Sequence, residues 1–378
     1  MVKIGKGINM EAVRSSNRGA VLSYLNAYGA SSRKKIAGDL NLTTATLSII
    51  TNELINDNMV LEIGEVEEKR VGRKKILVDL NEKARYCLGL EIQNRKIIFV
   101  MTDLKANIIF EKEWIITGEF KLPDFMKILD FIKEKIYEIK DIILGIGILV
   151  QGEIQDNKAI SCPIPDIYEI VEKNLGVKTI IENNMTGLVV SEMYFKEKHN
   201  NFWVLKYGPG VGSSVVINGK ILQGTENKPV EFGHVPLLKE NSENFCPICK
   251  KRGCLESEIH FDRIIEKFES LGYSKHKNET DAKFIERICK KEGYEILEKN
   301  IDLLTDYFSM ISWIIPVSEV ILTGEIFSNE KLLQYFLDKA EEKKVNINKE
   351  NILYMKDYSH KRKVAGCLLI LQDFFKFY

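Results

Sequence analysis

In the stretch HVPLLKENSENFCPICKKRGCLE, His234 is followed after eleven residues by Cys246, then by Cys249 and Cys254. Three of the chain's seven cysteines fall within nine positions, with an imidazole upstream. One histidine and three thiolates supply the four soft or borderline donors of a closed, tetrahedral zinc site. A redox-active CxxC pair and scattered buried thiols are the other readings of the same residues. Glu231 and Glu256 bracket the cluster, so closing the loop brings two carboxylates toward a common cleft. As lone glutamates they could equally cap helices or solvate loops.

The elements that must position this loop come from the rest of the chain. With 378 residues, two to three domains are expected. Hydrophobic residues at 45% and charged residues at 29% exclude the disordered and membrane classes. The longest apolar run, IILGIGILV at 142–150, is less than half a membrane span and reads as a buried strand. The N-terminus lacks the apolar stretch of a secretory signal, so a reducing cytoplasm is the expected compartment. Lys plus Arg balance Asp plus Glu at 54 each, and only residues 1–80 lean basic, with twelve against nine.

Those first eighty residues carry a second constellation. NMEAVRSSNRGAVLSYLNAY (9–28) predicts a helix burying Val13, Ala20, Val21, Leu25 and Tyr28 and stopping at Gly29. Ser32 caps a short second helix, and Thr43 or Thr44 caps a third. The third buries Leu47, Ile50, Leu54 and Ile55 and turns Thr44, Thr46, Ser48 and Thr51 outward, a size and polarity suited to a major groove. MVLEIGEVEEKRVGRKKILVDL then reads as two strands joined by a basic tip, a wing, in which Arg73 and Lys74 suit a narrow minor groove. The third helix has no Lys or Arg before Asn58, so a protein-interaction module with a solvated hairpin is the competing reading. Beyond residue 80, strand and helix alternate, with TIIEN, FWVLKYG and EVILTGEI as strands, which predicts an α/β fold of two similar halves. Gly208, Gly210 and Gly212 follow FWVLK and would let backbone amides approach a phosphate or sugar; a plain β-turn accounts for them as well.

EFGH (231–234), CPICKKRGCLE (246–256), IIENNMTGLVVSE (180–192) and the N-terminal NMEAVRSSNRGAVLSYL with its GRKK wing together resemble the ROK family of repressors and sugar kinases. The likeness is to its transcription-factor branch, the xylose-repressor-like and N-acetylglucosamine-repressor-like regulators. It covers essentially the whole chain. The resemblance implies a winged helix-turn-helix at 1–80, with Thr43, Thr44, Thr46, Ser48, Arg73 and Lys74 toward double-stranded operator DNA. It implies a two-lobed, actin-like and sugar-kinase-like α/β body at 81–378, with lobes of about 81–195 plus the C-terminal helix, and 196–355. It further implies a monosaccharide effector held by Asn183, Asn184, Glu231, His234 and Glu256, structural Zn2+ on His234, Cys246, Cys249 and Cys254, and a homodimer or higher homo-oligomer with no membrane partner. Many family members have CxC where this chain has CPIC, and the loop must absorb the extra residue.

Two departures separate this chain from the kinases of that family. A kinase needs a DxGGT-like loop, but here LGLEIQNRK puts Gln93 and Asn94 where glycines are expected, behind the acidic Glu91. It also needs an Asp as catalytic base after the Asn of its END-type motif, but Asn184 stands there, and an amide cannot take a hydroxyl proton. The turn ILTGEIFS keeps only Gly324 of a glycine pair. A sugar-responsive regulator without enzymatic activity is therefore expected. An ATP-dependent sugar kinase is the runner-up, and a zinc-stabilised protein-binding scaffold the third reading.

Overall fold

The computed structural model describes residues 9–66, 75–93, 96–116, 118–196, 200–224, 229–237, 244–246, 248–276, 279–289 and 293–378. The chain divides into two compact units, residues 1–197 with 362–378, and residues 198–361.

The first unit opens with α1 (Met10–Tyr28), β1 (Ser31–Ser32), α2 (Arg33–Asp39), α3 (Thr44–Asn56), β2 (Val60–Val66) and β3 (Lys75–Leu80), the strands pairing in the order β1-β3-β2. Each helix starts where a short polar side chain can take an orphan amide. Asn9 accepts from the Glu11 N–H, Ser32 from Lys35 and Thr43 from Thr46. The buried face of α1 is Val21, Leu22, Tyr24 and Leu25, whereas Val13 and Tyr28 are exposed. The stripe thus keeps Val21 and Leu25 but adds Leu22 and Tyr24 in place of Val13 and Tyr28, and the Tyr24 hydroxyl donates to Asp39 at 2.6 Å. Arg14 and Arg18 both pair with Glu53, and Arg18 also pairs with Asp57, which ties α1 to α3.

The same unit continues as β4 (Tyr86–Gln93), β5 (Lys96–Thr102), β6 (Ile108–Ile115), α4 (Leu122–Ile136), β7 (Ile143–Val150), the small hairpin of β8 (Ile154–Gln155) and β9 (Lys158–Ala159), α5 (Ile167–Leu175), β10 (Thr179–Asn183) and α6 (Asn184–Phe195). Its five-stranded sheet runs β10-β7-β4-β5-β6, an antiparallel meander of β4, β5 and β6 extended by parallel β7 and β10. β7 takes up all but Ile142 of the apolar run 142–150 and is walled in because α4 and α5 cover one face with Phe125, Leu129, Ile132, Ile167 and Val171.

In the second unit, β11 (Phe202–Tyr207), β12 (Val211–Ile217) and β13 (Lys220–Ile221) form another antiparallel meander, followed by α7 (Leu255–Ile259), α8 (Phe261–Ser270), α9 (Asp281–Cys289), α10 (Tyr294–Ile314), β14 (Glu319–Thr323), α11 (Glu330–Glu342) and β15 (Ile352–Tyr354). The sheet order β13-β12-β11-β14-β15, with β14 and β15 parallel to β11, repeats the plan of the first sheet. These are the two similar halves the strand-helix alternation predicts. Trp203, Phe232, Phe308, Phe327 and Phe336 fill the second core.

The last helix, α12 (Tyr358–Phe377), lies against the first sheet from Arg362 onward. Its approach is set by glycine: a Cβ on Gly147 would stand 2.0 Å from the Gly366 carbonyl oxygen, and one on Gly366 would stand 2.9 Å from the Gly89 Cα. The far end of α12 reaches the N-terminal helices, where the Arg18 guanidinium stacks over the Tyr378 ring at 4.8 Å and the Tyr378 hydroxyl meets Asp57 at 3.3 Å. Among the described residues no helix is long and apolar enough to cross a membrane.

Candidate functional sites

His234 closes a short 3-10 turn (Phe232–His234), and Cys254 immediately precedes α7. Between them the chain folds into a knuckle. Isolated antiparallel bridges join Pro236 to Cys254 and Phe245 to Arg252, the Cys246 N–H donates to the Lys251 carbonyl at 2.8 Å, and Lys250 and Gly253 reverse the chain with positive φ. Asn244 anchors the loop to α7 through Glu258 at 2.8 Å.

The result is a converging donor set. His234 Nδ1, Cys246 Sγ, Cys249 Sγ and Cys254 Sγ all lie within 4.8 Å of one another. Nδ1 is 3.9 Å from the sulfurs of Cys246 and Cys254, and Cys249 and Cys254 are 3.9 Å apart. A tetrahedron with metal–sulfur bonds of about 2.3 Å has edges of roughly 3.8 Å, so the four atoms fit around one ion. The electrostatics agree. Burial holds His234 below the ordinary imidazole pKa and so in its neutral, ligating form, and it pushes the Cys246 thiol up to about 12 and Cys254 upward as well. Thiols so withdrawn from water become thiolates only around a cation. The Cys3His cluster can hold a metal ion.

Two carboxylates flank the knuckle. Glu256 is buried, with Oε2 3.6 Å from His234 Nδ1, and Glu231 Oε2 is 3.8 Å from Nε2. Burial, and then the Glu231 charge, raise the Glu256 carboxyl to about 7. Room for it comes from glycine: a Cβ on Gly210 would stand 2.1 Å from Glu256 Oε1, and one on Gly208 the same distance from Glu325 Oε2. The glycine turn after β11 therefore packs against two carboxylates, and at Gly208 and Gly210 the space considered for a phosphate is filled by acid groups. Neither spacing nor composition points to Glu325, which lies over a hundred positions away.

The remaining effector candidates sit in the first unit. Asn183 caps α6, accepting from the Met185 N–H at 2.7 Å and donating to the Gly152 carbonyl at 2.6 Å, which leaves it one free N–H and one lone pair. Asn184 begins α6 and is half-buried. Glu91, only 4% exposed, is held by the Arg362 guanidinium of α12 through bonds of 2.7 and 2.6 Å. That pairing has no sequence signature. Asn94 lies outside the described residues.

On the N-terminal helices, Thr44 and Ser48 are exposed, whereas Thr46 is half-buried with its hydroxyl 2.8 Å from that of Thr43, so this pair caps α3. Thr51, expected outward, is fully buried and accepts from Arg33 at 2.9 Å. Ile55 is half-buried, and Ala45, Ile49 and Asn52 complete the exposed face. Arg73 and Lys74 lie outside the described residues.

The ROK family profile matches residues 87–373. The chain belongs to the ROK family. It is 27% identical over 257 residues to the xylose repressor of Bacillus spizizenii, 65% of each chain, so it spans just under two thirds of that relative's length. It is 25% identical over 384 residues to the xylose repressor of Caldicellulosiruptor bescii, covering 92% of this chain and 93% of the relative. Among solved structures, a ROK family transcriptional regulator described as a homolog of the E. coli Mlc protein superposes with a TM-score of 0.78 at 16% identity, over 97% of both chains. The shared fold thus includes the N-terminal helices as well as the ROK body.

Proposed function

We propose that this chain is a sugar-responsive transcriptional repressor, with residues 1–80 binding double-stranded operator DNA and residues 81–378 binding a monosaccharide. The observation that carries the reading is the helix-turn-helix of α2 and α3, built onto a ROK body through α1 and α12: a Cβ on Gly19 of α1 would stand 2.1 Å from the Phe375 carbonyl oxygen, closer than any side chain permits. Thr44 and Ser48, with Arg73 and Lys74 of the wing, face the DNA. Asn183, Asn184, Glu231, His234 and Glu256 take the sugar hydroxyls, for which planar amides and carboxylates are the fitting partners. Relatives named as xylose repressors make xylose the first sugar to test. The protein works as a homodimer on a site of inverted symmetry, in the reducing cytoplasm.

His234, Cys246, Cys249 and Cys254 hold Zn2+, which supplies charge for three thiolates and no reaction. The chain's own residues do the rest. The closed knuckle fixes the start of α7, and with it the Glu256 carboxylate in its glycine cradle. His234 spends Nδ1 on the cluster and keeps Nε2 beside Glu231. Against the kinase reading stand two groups. Asn184 cannot accept a proton, and the one acidic side chain at the end of β4 already belongs to Arg362.

The test measures binding to promoter-derived duplexes by fluorescence anisotropy, with and without xylose and a panel of other monosaccharides, alongside an ATP-coupled phosphorylation assay. The expected result is operator binding altered by one sugar, with no phosphorylation. Sugar-dependent ATP turnover, or no duplex bound under any condition, would overturn the reading.

A further inference from the structure

The DNA-binding reading, on which this inference rests, leaves open which bases α3 recognises. Over its first turns the exposed stripe is Ala45, Ile49 and Asn52, spaced i, i+4 and i+7, opposite the buried Leu47, Ile50 and Leu54; Thr44 and Ser48 are exposed beside it, and Asn56 lies one turn beyond it at the C-terminal end of the helix. A single exposed isoleucine is ordinary on a surface. Ile49, at 61% exposure, stands in the middle of the one helix face that a major groove would receive. No Lys or Arg occurs on α3, and its only charged residue, Glu53, is engaged by Arg14 and Arg18. The arginine–guanine and glutamate–cytosine pairings are therefore both missing from it. The Ser48 hydroxyl donates back to the Thr44 carbonyl at 2.7 Å.

What remains at the N-terminal end that a groove receives are two aliphatic side chains, the Asn52 carboxamide and the Thr44 hydroxyl, which pairs with any base; the Asn56 carboxamide stands at the far end of the helix. Methyl groups complement the C5-methyl of thymine, and a carboxamide pairs with N6 and N7 of adenine. The stripe is about 10 Å long, roughly three base-pair steps. Cations for the phosphates lie nearby on α2, where Lys34 and Lys35 are exposed. We infer that α3 reads a run of A·T pairs, with Ala45 and Ile49 packing on thymine methyls and Asn52 bonding one adenine, and reads no guanine.

Duplexes are selected from a randomised library with the full-length protein, and the tightest is remade with uracil replacing each thymine in turn, which removes only the methyl group. The parent should select an A·T run in each half-site. One uracil should weaken its binding about fourfold, and Ile49→Ala should not feel that replacement. Asn52→Ala should lose about five- to 150-fold and become indifferent to one base pair. Both variants should melt with the parent, since both side chains are exposed. Selection of G·C pairs in the half-site, equal binding of uracil and thymine duplexes by the parent, or a uracil penalty that persists in Ile49→Ala would overturn this assignment while leaving DNA binding intact. Failure to enrich any duplex would overturn the assignment together with the repressor reading.

Discussion

The Cys3His knuckle and the Glu91–Arg362 pair are both clusters of ionisable groups withdrawn from water, and they meet the cost of burial in opposite ways. The knuckle gathers four donors in a place where burial pushes the Cys246 thiol up to about 12 and raises Cys254 as well. At the end of β4 the protein supplies the counter-charge itself: Arg362 pairs with Glu91 Oε1, while the buried Oε2 has no hydrogen-bond partner among the described residues. An acidic residue in a kinase-like position is thus no evidence of a metal site when a guanidinium already occupies it.

Removing the metal should have the largest effect. Cys249→Ser, or a strong chelator, should take bound zinc from about one per chain to none and lower the melting temperature by on the order of 10 °C. Metal analysis and calorimetry together check this, and zinc-free parent protein with unchanged melting would erase the contrast. The intramolecular pair comes next. Arg362→Ala strands a buried carboxylate and should cost about 3–5 kcal/mol, whereas Glu91→Gln combined with Arg362→Met should recover most of that. Urea denaturation of the parent and the two variants measures it.

Smaller in stability but decisive for sensing is Glu256→Gln, which keeps the shape of the side chain. It should abolish the sugar response while leaving sugar-free operator binding within about twofold; equal loss with and without sugar would make Glu256 a support of the fold. The smallest expected effect is none at all: Asn184→Asp should restore no sugar phosphorylation, because Arg362 still claims Glu91. Turnover in that variant would show that the ion pair does not close the site.

Much of the metal site is legible in the chain, since ligand types and spacings on one short loop already specify it. The helix starts at Ser32 and Thr43 are legible for the same reason, a cap being a contact between residues three apart. The buried face of α1 is legible only in part: Val21 and Leu25 are buried as the periodicity predicts, but Leu22 and Tyr24, whose hydroxyl meets Asp39, are buried in place of Val13 and Tyr28. The role of the turn after β11 is not legible, since its glycines suit a phosphate as well as a carboxylate until Glu256 and Glu325 are seen against them.

The sequence by itself thus determined the donors of the knuckle, the helix caps, the apolar β7 and an amide in place of a carboxylate at Asn184, all of which depend on residue type and short-range spacing. Only the tertiary structure decided that Glu91 meets Arg362 across 271 positions, that Glu256 rests on Gly210, and that Ala45, Ile49 and Asn52 join Thr44 and Ser48 on the solvent face of α3 while Thr51 is buried. Those outcomes depend on the register of one packed element against another, which is set by close approach of distant backbones such as Gly89, Gly147 and Gly366 and leaves no periodic trace in the chain.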